Sequence, residues 1–408
     1  MIELAPARHS TTATTWDDAR AISREAGRSL ARSRPLADER VPLAAAAERT
    51  TSSPLTAGDH LPRCDASAMD GWVVCGPGPW RVGTRILAGD PPSPHPLPAG
   101  VARPIATGGL VPPGTVAVLR SEHGEVRDGP SWPLLHALDR GPIPPGRDIR
   151  PAAEEARRGD ELLPAGTVLT TPRIALAAVA GYDEIEVVAR RRVGVIVLGD
   201  EVHDAGAPSA GRVRDAFAPS LPAAIASAGA LFARSERCAD DPDSTVAAID
   251  SMAADLIVTT GGSSHGPTDF ARSSLITLGA RFLFDGVAVR PGHPVILARL
   301  PDGRIVLCLP GNPLAALLCF ASFAVPLLDG AHRRRRPLAP AVSVTSDIAN
   351  DTTSTRLVPC VLDDSGVTPT RWQGPAMLRG LATADHVAIV PPGGVRAGSW
   401  TPTLALPW

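Results

Sequence analysis

The sequence predicts a multidomain protein of the α/β plus β class: a central doubly wound α/β domain, flanking β-rich domains and a C-terminal β-barrel. Three observations lead to this prediction. The chain has 408 residues, enough for about two to four domains. Glycine and proline number 38 and 43, a content typical of short strands joined by tight turns. Between residues 193 and 325, apolar strands alternate with helices, as in a mostly parallel sheet covered by helices.

Composition and charge restrict the classes of protein to which the chain can belong. It is 44% hydrophobic and 20% charged, with a formal net charge of −2. It is therefore neither a disordered chain nor one with the basic field that nucleic-acid binding requires. The sequence contains no lysine, and all 40 basic residues are arginine. No lysine is available as a base, a Schiff-base amine or a phosphate ligand.

Cysteine usage and apolar runs indicate a cytoplasmic location. The six cysteines form no C-x-x-C pair, which predicts reduced thiols, mostly in the core. The N-terminus lacks the apolar stretch of a signal peptide. The longest apolar run, residues 314–328, is interrupted by Ser322 and Pro326 and is too short to cross a bilayer. We expect a buried helix there and no membrane.

Turn residues and helix signals divide the rest of the chain. Residues 15–32 suit one amphipathic helix, capped by a threonine and with Asp17 and Asp18 in its first turn. Prolines and glycines then crowd the chain to about residue 148, and short strands return after the arginine run 333–336. The predicted domains are an N-terminal helix and linking domain (1–48 with 146–190), an inserted β-rich domain (49–145), an α/β domain (191–333) and a C-terminal β-barrel (334–408).

Within the α/β domain, apolar runs and turn residues define the predicted elements. Strands are predicted at 193–198, 231–233, 256–259, 282–284, 295–297 and 305–309. Helices are predicted at 216–228, 244–254, 268–278 and 314–325.

Three loops follow strands of this predicted sheet. They are Gly199-Asp200-Glu201, the glycine-rich segment Gly261-Gly262-Ser263-Ser264, and Pro310-Gly311-Asn312-Pro313. Ligands of open α/β sheets bind beyond the carboxyl ends of the strands. We therefore expect these loops to form one site.

The glycine-rich loop suits an anion. Glycines let backbone N–H groups approach phosphate oxygens, serines add hydroxyl donors, and a predicted helix begins just after the loop. A plain glycine-rich turn is an equally good interpretation of this loop taken alone.

Acidic residues in these loops point to a divalent cation. Asp200, Glu201, Asp240 and Asp269 offer the oxygen ligands with which Mg²⁺ bridges to phosphates. Simpler roles exist for two of them: Asp269 could favour the positive end of a helix, and Asp240 could begin a turn. Asp200 and Glu201 are the hardest to explain as ordinary surface residues.

The segment from Asp65 to Trp72 is a compact mixture of polar and apolar residues in the β-rich region. It predicts a turn that leads into a strand beginning at Trp72, with Asp70 as a turn residue. Thr107-Gly108-Gly109 is a weaker signal of the same kind.

Taken together, these motifs resemble the molybdopterin molybdenumtransferase family, which includes bacterial MoeA and the E domain of gephyrin. The segment from Asp65 to Trp72 is similar to the family signature Asp-Asn-Ser-Ala-Met-Asp-Gly-Tyr, with Ala66 in place of Asn and Trp72 in place of Tyr. Gly199-Asp200-Glu201 is similar to its Thr-Gly-Asp-Glu loop. The other matching segments are Ala106-Thr107-Gly108, Arg147 to Glu155, Asp240-Asp241-Pro242, the glycine-rich loop with Asp269, and Leu309 to Pro313. The resemblance covers nearly the whole chain.

The resemblance implies an activity: insertion of molybdate into adenylylated molybdopterin, with release of AMP and a requirement for Mg²⁺. It implies a homodimer, an upstream molybdopterin adenylyltransferase, and molybdoenzymes or cofactor carriers as recipients. By carry-over, the catalytic candidates are Asp70, Thr107, Glu201, Asp240 and Asp269, and the Mg²⁺ ligands are Asp200, Glu201, Asp240 and Asp269. The binding candidates are Gly261, Gly262, Ser263, Ser264, Arg290, His293, Pro310, Gly311, Asn312 and Pro313.

The chain departs from the family pattern at its anion site. The family usually has Lys-Pro-Gly-Lys-Pro with another lysine four residues earlier, whereas this chain has Arg290-Pro291-Gly292-His293-Pro294 preceded by Gly286. Arg290 keeps a permanent charge that can hold an oxyanion. Histidine, with an ordinary pKa of about 6.5, is only partly charged near neutral pH, and Gly286 supplies no charge. This loss of positive charge motivates the alternative function, a molybdopterin-binding or delivery paralogue without insertion activity. The α/β region alone also resembles other pterin-binding proteins and a family of nucleotide pyrophosphatases, which lack the Asp65 to Trp72 signature.

Overall fold

The structure is a computed structural model that describes residues 14–139, 141–263, 270–334 and 340–408. The six cysteines lie within these ranges and are free thiols. The α-helices are Trp16–Ser33, Thr171–Val179, Phe217–Ser227, Pro242–Ser251, Ala271–Thr277, Pro313–Cys319, Val325–Ala331 and Leu378–Ala382, with a π-helical turn at Phe320–Ala324 and 3₁₀ turns at Leu43–Ala45 and Ser121–His123.

The described chain forms two compact units. One unit consists of Ser53–Ala165 and Thr171–Glu184, and the remaining residues form the other. We call them the inserted unit and the main unit.

The inserted unit is built on a six-stranded sheet. In spatial order its strands are Ala117–Arg120, Gly71–Val74, Val101–Ile105, Trp80–Val82, Leu134–Ala137 and Gly124–Arg127. All neighbours are antiparallel except Trp80–Val82 and Val101–Ile105, which are parallel. Two short antiparallel ladders join Ala66–Ser67 to Ile149–Arg150 and Leu55–Thr56 to Glu161–Leu163. The segment from Asp65 to Trp72 thus leads into a strand, as predicted, although the strand begins one residue earlier, at Gly71.

The main unit contains a six-stranded sheet whose centre is parallel. In spatial order its strands are Leu231–Cys238, Arg192–Leu198, Leu256–Thr260, Ile305–Leu309, Ile296–Arg299 and Arg281–Asp285. The first four strands are parallel to one another. Ile296–Arg299 pairs antiparallel with Ile305–Leu309, and Arg281–Asp285 pairs antiparallel with Ile296–Arg299. Buried apolar side chains lie on both faces of the sheet, as expected for strands that helices cover. The parallel strands all point the same way, so the loops that follow them lie at one edge.

A seven-stranded sheet contains the C-terminal strands. In spatial order its strands are Thr14–Thr15, Val287–Arg290, Thr355–Asp363, His386–Val390, Trp400–Ala405 and Ala341–Ser343, with Gly366–Pro369 paired to Thr355–Asp363. A parallel bridge also joins Val344 to Val367. The remaining strands among the described residues are Glu39–Pro42, Glu184–Val187, Val202–His203 and Val213–Arg214.

The continuous helical segment Pro313–Ala331 forms the centre of the main-unit core. Within the described residues it is the one helix whose length of 19 residues and composition would suit a membrane, but 94% of its apolar stretch is buried inside the protein. It is a core helix, as the sequence predicted.

The helix Trp16–Ser33 packs against this core segment. Thr15 caps it by accepting a hydrogen bond from the amide of Asp18, as predicted. The indole N–H of Trp16 donates to the hydroxyl of Ser322 at 3.1 Å. A Cβ atom on Gly27 would overlap the carbonyl oxygen of Leu327. The two helices therefore meet backbone to backbone.

The bounds of three predicted elements in the α/β region differ most from the structure. The strand predicted at 231–233 runs to Cys238, because it pairs in parallel with Arg192–Leu198 along its length. The helix predicted at 244–254 begins at Pro242, since the Asp241 side chain caps it. The helix predicted at 314–325 begins at Pro313 and continues through a π-helical turn to Ala331.

Candidate functional site

The three loops that follow the parallel strands meet around one cavity of about 270 Å³, which we call the glycine-rich cavity. The prediction that they lie together is confirmed. Its lining residues are Leu198, Gly199, Glu201, Asp240, Gly261, Gly262, Ser263, Pro294, Pro310, Gly311 and Asn312.

Glycines shape this cavity because the backbone takes a left-handed conformation there. The φ angles of Gly199, Gly261 and Gly262 are +126°, +86° and +64°, values that side chains with a Cβ rarely adopt. A Cβ on Gly199 would also lie 2.7 Å from a carboxylate oxygen of Glu201. The glycines therefore leave room for the Glu201 carboxylate and for a ligand close to the backbone.

Two carboxylates, Asp200 in the first loop and Asp240 just after the strand Leu231–Cys238, each accept a hydrogen bond from the other residue's amide. The amide of Asp200 donates to the Asp240 carboxylate at 3.2 Å, and the amide of Asp240 donates to the Asp200 carboxylate at 3.4 Å. The next residue, Asp241, caps the helix Pro242–Ser251, and the amide of Ser244 lowers the pKa of its carboxyl. Of the predicted metal ligands, Glu201 and Asp240 line the cavity, and Asp200 holds Asp240 in place.

Two predicted site residues, Ser264 and Asp269, lie outside the described residues. Ser263 is buried, and its hydroxyl donates to the carbonyl of Leu309 at 3.4 Å. Across the described part of the chain, no three His, Cys, Asp or Glu side chains are grouped so as to hold a metal ion by themselves.

A second cavity of about 590 Å³, which we call the arginine cavity, adjoins the first. Both cavities are lined by Pro294, Pro310 and Asn312. Two predicted anion ligands, Arg290 and His293, line the arginine cavity. Pro313 lines neither cavity and instead begins the helix that follows the loop.

The arginine cavity also contains Arg356, a residue that the sequence did not single out. The strands Val287–Arg290 and Thr355–Asp363 are parallel neighbours, and Arg290 is the register partner of Arg356. Adjacent like charges on neighbouring strands are unfavourable unless an anion compensates them. The guanidinium of Arg356 donates to the Ala349 carbonyl and, at 2.9 Å, to the Gln373 side chain. The register thus places two arginines side by side at this cavity.

No local signal in the sequence could have identified Arg356. It lies 66 residues after Arg290 in the chain, and only the pairing of two distant strands brings them together. The strand pattern of the C-terminal region indicates that Arg356 lies in a strand, but it does not show with which strand that one pairs.

The remaining predicted pair, Asp70 and Thr107, lies in the inserted unit. The Asp70 carboxylate accepts hydrogen bonds from the amide of Thr107 at 2.7 Å and from its hydroxyl at 3.0 Å. These bonds, the amide first, lower the pKa of Asp70. Asp70 is fully exposed to solvent and stays ionised at neutral pH.

A parallel-centred sheet with a glycine-rich cavity and an adjacent cavity lined by two arginines is an arrangement typical of proteins that bind anionic ligands. The comparisons with known proteins make this specific. The model described as "MoeA N-terminal region (domain I and II)" matches residues 14–181, "Probable molybdopterin binding domain" matches 194–330, and "MoeA C-terminal region (domain IV)" matches 341–405.

Curated relatives agree along most of the chain. It is 33% identical over 380 residues to the molybdopterin molybdenumtransferase of Synechococcus elongatus, covering 88% of this chain and 92% of that protein. It is 30% identical to molybdopterin molybdenumtransferase 2 of Mycobacterium tuberculosis, covering 88% and 93%. The chain therefore belongs to the MoeA family of molybdopterin molybdenumtransferases.

Solved structures agree on the fold. The molybdopterin biosynthesis MoeA protein of Pyrococcus horikoshii superposes with a TM-score of 0.74 at 22% identity, over 97% of this chain and all of that one. A MoeA protein structure from Pyrococcus horikoshii OT3 gives a TM-score of 0.78 at 18% identity, over 96% of this chain.

Proposed function

We propose that this protein inserts molybdate into adenylylated molybdopterin in molybdenum cofactor biosynthesis and releases AMP. The pair of adjoining cavities is the feature that best supports this function. One offers glycine-rich backbone with two carboxylates, and the other offers two neighbouring guanidinium groups. The reaction needs these two environments side by side, because the oxyanion must reach a ligand that also carries phosphates.

The glycine-rich cavity holds the phosphate-bearing end of the substrate. The left-handed glycines let the substrate approach the backbone closely. Ser263 supports the loop through its bond to Leu309, and Pro310 and Asn312 form the wall shared with the second cavity.

The donor set of this cavity fits Mg²⁺ bound together with substrate. Mg²⁺ is usually held by one or two carboxylates, with substrate phosphates and water completing its shell. Glu201 and Asp240 supply two carboxylates at the cavity, and Asp200 keeps Asp240 oriented. When bound, the ion would neutralise phosphate charge. We propose Asp269 as a further ligand from its sequence match.

The arginine cavity holds molybdate. Arg290 and Arg356 provide permanent charge and several N–H donors, which suit a tetrahedral oxyanion. The Ala349 carbonyl and Gln373 fix the Arg356 guanidinium before the ligand arrives. Molybdate bound there lies next to the shared wall and hence close to the substrate.

Asp70 and Thr107 are proposed as catalytic residues of the inserted unit. Thr107 holds the Asp70 carboxylate in its ionised form. An ionised, exposed carboxylate can orient a cation or accept a proton.

The remaining organisation is proposed from the family. The sheet at 191–333 is the doubly wound domain, and the bridge from Val344 to Val367 supports closure of the C-terminal strands into a barrel at 334–408. The N-terminal domain is 1–48 with 146–190, and the inserted domain is 49–145. We propose a cytoplasmic homodimer that receives substrate from a molybdopterin adenylyltransferase and serves molybdoenzymes or cofactor carriers.

Two variants test the assignment of roles. Asp240→Asn should lower molybdate-dependent AMP release about 100-fold, because a carboxylate at the phosphate end is lost. Arg356→Gln should raise the molybdate concentration for half-maximal release at least about 10-fold, equivalent to about 1.4 kcal/mol of binding free energy. Arg396→Gln, which removes an exposed arginine outside both cavities, is the matched control. Wild-type kinetics for both site variants would refute the assignment.

A further inference from the structure

The ring of His293 is held in one orientation. Its Nδ1 atom lies 2.8 Å from the carbonyl oxygen of Val287. A carbonyl can only accept a hydrogen bond, so Nδ1 carries a proton whether the ring is neutral or charged. The nitrogen that gains or loses a proton is therefore Nε2.

Gly286 lies beside this ring, and a side chain there would touch the ring without overlapping it. A Cβ atom at position 286 would lie 3.6 Å from Cε1 and 3.9 Å from Nε2 of His293. The turn that carries both residues is closed by bonds from the amide of Val287 to the His293 carbonyl and from the amide of Gly286 to the Val295 carbonyl. Positions 286 and 293, two of the three at which the chain lacks the family's lysines, are therefore neighbours.

The charge state of Nε2 decides whether His293 attracts or repels an oxyanion. A neutral ring presents a lone pair at Nε2, which repels an oxygen anion, whereas a protonated ring presents an N–H donor. Histidine ordinarily changes charge between pH 5 and 8. Binding of an anion in the arginine cavity should therefore favour protonation of the His293 ring.

The charged neighbours of His293 lie in the same cavity and on the adjoining strand. In the described structure, the charged groups that line the same cavity are Arg290, Arg356 and Asp351. Asp285, before Gly286, is paired with Arg272, and the helix Pro313–Cys319 carries no charged side chain. A dianion bound among these groups would favour the protonated ring over the neutral one.

We propose that oxyanion binding in the arginine cavity is coupled to the uptake of one proton at Nε2 of His293. This makes His293 a specificity-determining residue: the site accepts a doubly charged tetrahedral oxyanion together with a proton. The inference rests on the proposed function for the identity of that oxyanion as molybdate.

The coupling predicts a pH dependence of affinity. In the pH range where free His293 is neutral and the bound ring is charged, affinity falls about tenfold for each unit of rising pH. A lysine at this position would stay protonated in that range and would not give this slope.

Isothermal titration calorimetry tests the coupling directly. Molybdate is titrated into the full-length protein at pH 7.5 in buffers with different ionisation enthalpies, which gives the number of protons taken up. We expect between about 0.5 and 1 proton for the wild type. His293→Gln and His293→Lys should each give less than about 0.2, and Asp351→Asn, which removes the other titratable side chain of the cavity, should keep the wild-type value.

The outcomes separate the two proposals. A wild type that binds molybdate with less than about 0.2 proton, or a His293→Gln protein that still takes up about one proton, overturns the role of His293. Uptake that disappears only in Asp351→Asn overturns it too. A wild type and a His293→Lys variant that both fail to bind molybdate overturn the proposed oxyanion site itself.

Discussion

At the scale of single residues, Asp70 is a carboxylate whose charge is maintained by one neighbouring turn. The amide and the hydroxyl of Thr107 both donate to it. These two bonds lower its pKa, because hydrogen bonds to the charged form favour ionisation. The sequence identified both residues by motif, and their contact explains why the motif pairs an acid with a Thr-Gly turn.

Removing the hydroxyl of Thr107 should move the pKa of Asp70 upward. Thr107→Val keeps the amide donor and loses the side-chain donor, so we expect a partial return toward the ordinary carboxyl range. Side-chain NMR of Asp70 as a function of pH measures this shift. Thr107→Ser, which keeps a hydroxyl, is the control, and equal titration curves for the two variants would contradict the explanation.

His332 is a buried histidine outside the site. It is 2% exposed, and its Nε2 accepts the amide N–H of Arg191 at 3.0 Å. Burial, with added repulsion from Arg334 and Arg191, lowers its pKa to about 3. The folded protein therefore holds this ring neutral at physiological pH.

His332 should make the main unit sensitive to mild acid. Its folded pKa lies below its unfolded value of about 6.5, so its contribution is complete only well above pH 6.5 and is lost as the pH falls toward 3. Between pH 6.5 and 5 the loss is about 1.6 kcal/mol. Denaturant unfolding of the main unit measures it.

A glutamine at this position keeps an acceptor but does not titrate. His332→Gln should therefore remove most of the stability change between pH 6.5 and 5, whereas His95→Gln, at an exposed histidine, should leave it unchanged. A pH slope in His332→Gln as steep as in the wild type would rule out His332 as its source.

At the scale of elements, the contact between Trp16–Ser33 and Val325–Ala331 depends on two glycines. A Cβ on Gly27 would overlap the Leu327 carbonyl, and one on Gly330 would overlap the Arg24 carbonyl. No local property of the sequence indicates this close approach. Helix propensity alone would favour alanine at Gly27 by about 1 kcal/mol.

Gly27→Ala should therefore destabilise the protein despite its gain in helix propensity. Forcing a methyl group into a packed interface costs about 1–3 kcal/mol, and backbone atoms cannot move aside as a side chain does. Thermal unfolding of the main unit should show a lower Tm. Ser29→Ala on the same helix is the control for propensity, and a Tm at or above the wild type in Gly27→Ala would contradict the packing account.

Helices and strands could be predicted where nearby residues in the sequence carry the signal. The helix Trp16–Ser33, the strand Ile305–Leu309 and the core position of Pro313–Ala331 followed from cap residues and apolar runs. The end of strand Leu231–Cys238 did not, because its exposed polar side chains carry no strand signal. Its length is set by pairing with Arg192–Leu198.

At the scale of the whole molecule, the site was predictable to the extent that its loops follow parallel strands. The topology brings Glu201, Asp240, Gly262 and Asn312 around one cavity, as the sequence led us to expect. Arg356 required the register of a different sheet. Residue types in a local stretch of sequence thus identify the loops of a site, whereas the pairing of distant strands decides which further residues join them.

We propose that molybdate insertion takes place at the two adjoining cavities. The most direct test is AMP release from adenylylated molybdopterin by the purified protein, with and without molybdate and Mg²⁺. We predict release that requires both ions and saturates with molybdate. Tight binding of the pterin substrate with no AMP release at any molybdate concentration would contradict the claim, and would mean that the chain binds or delivers molybdopterin without inserting the metal.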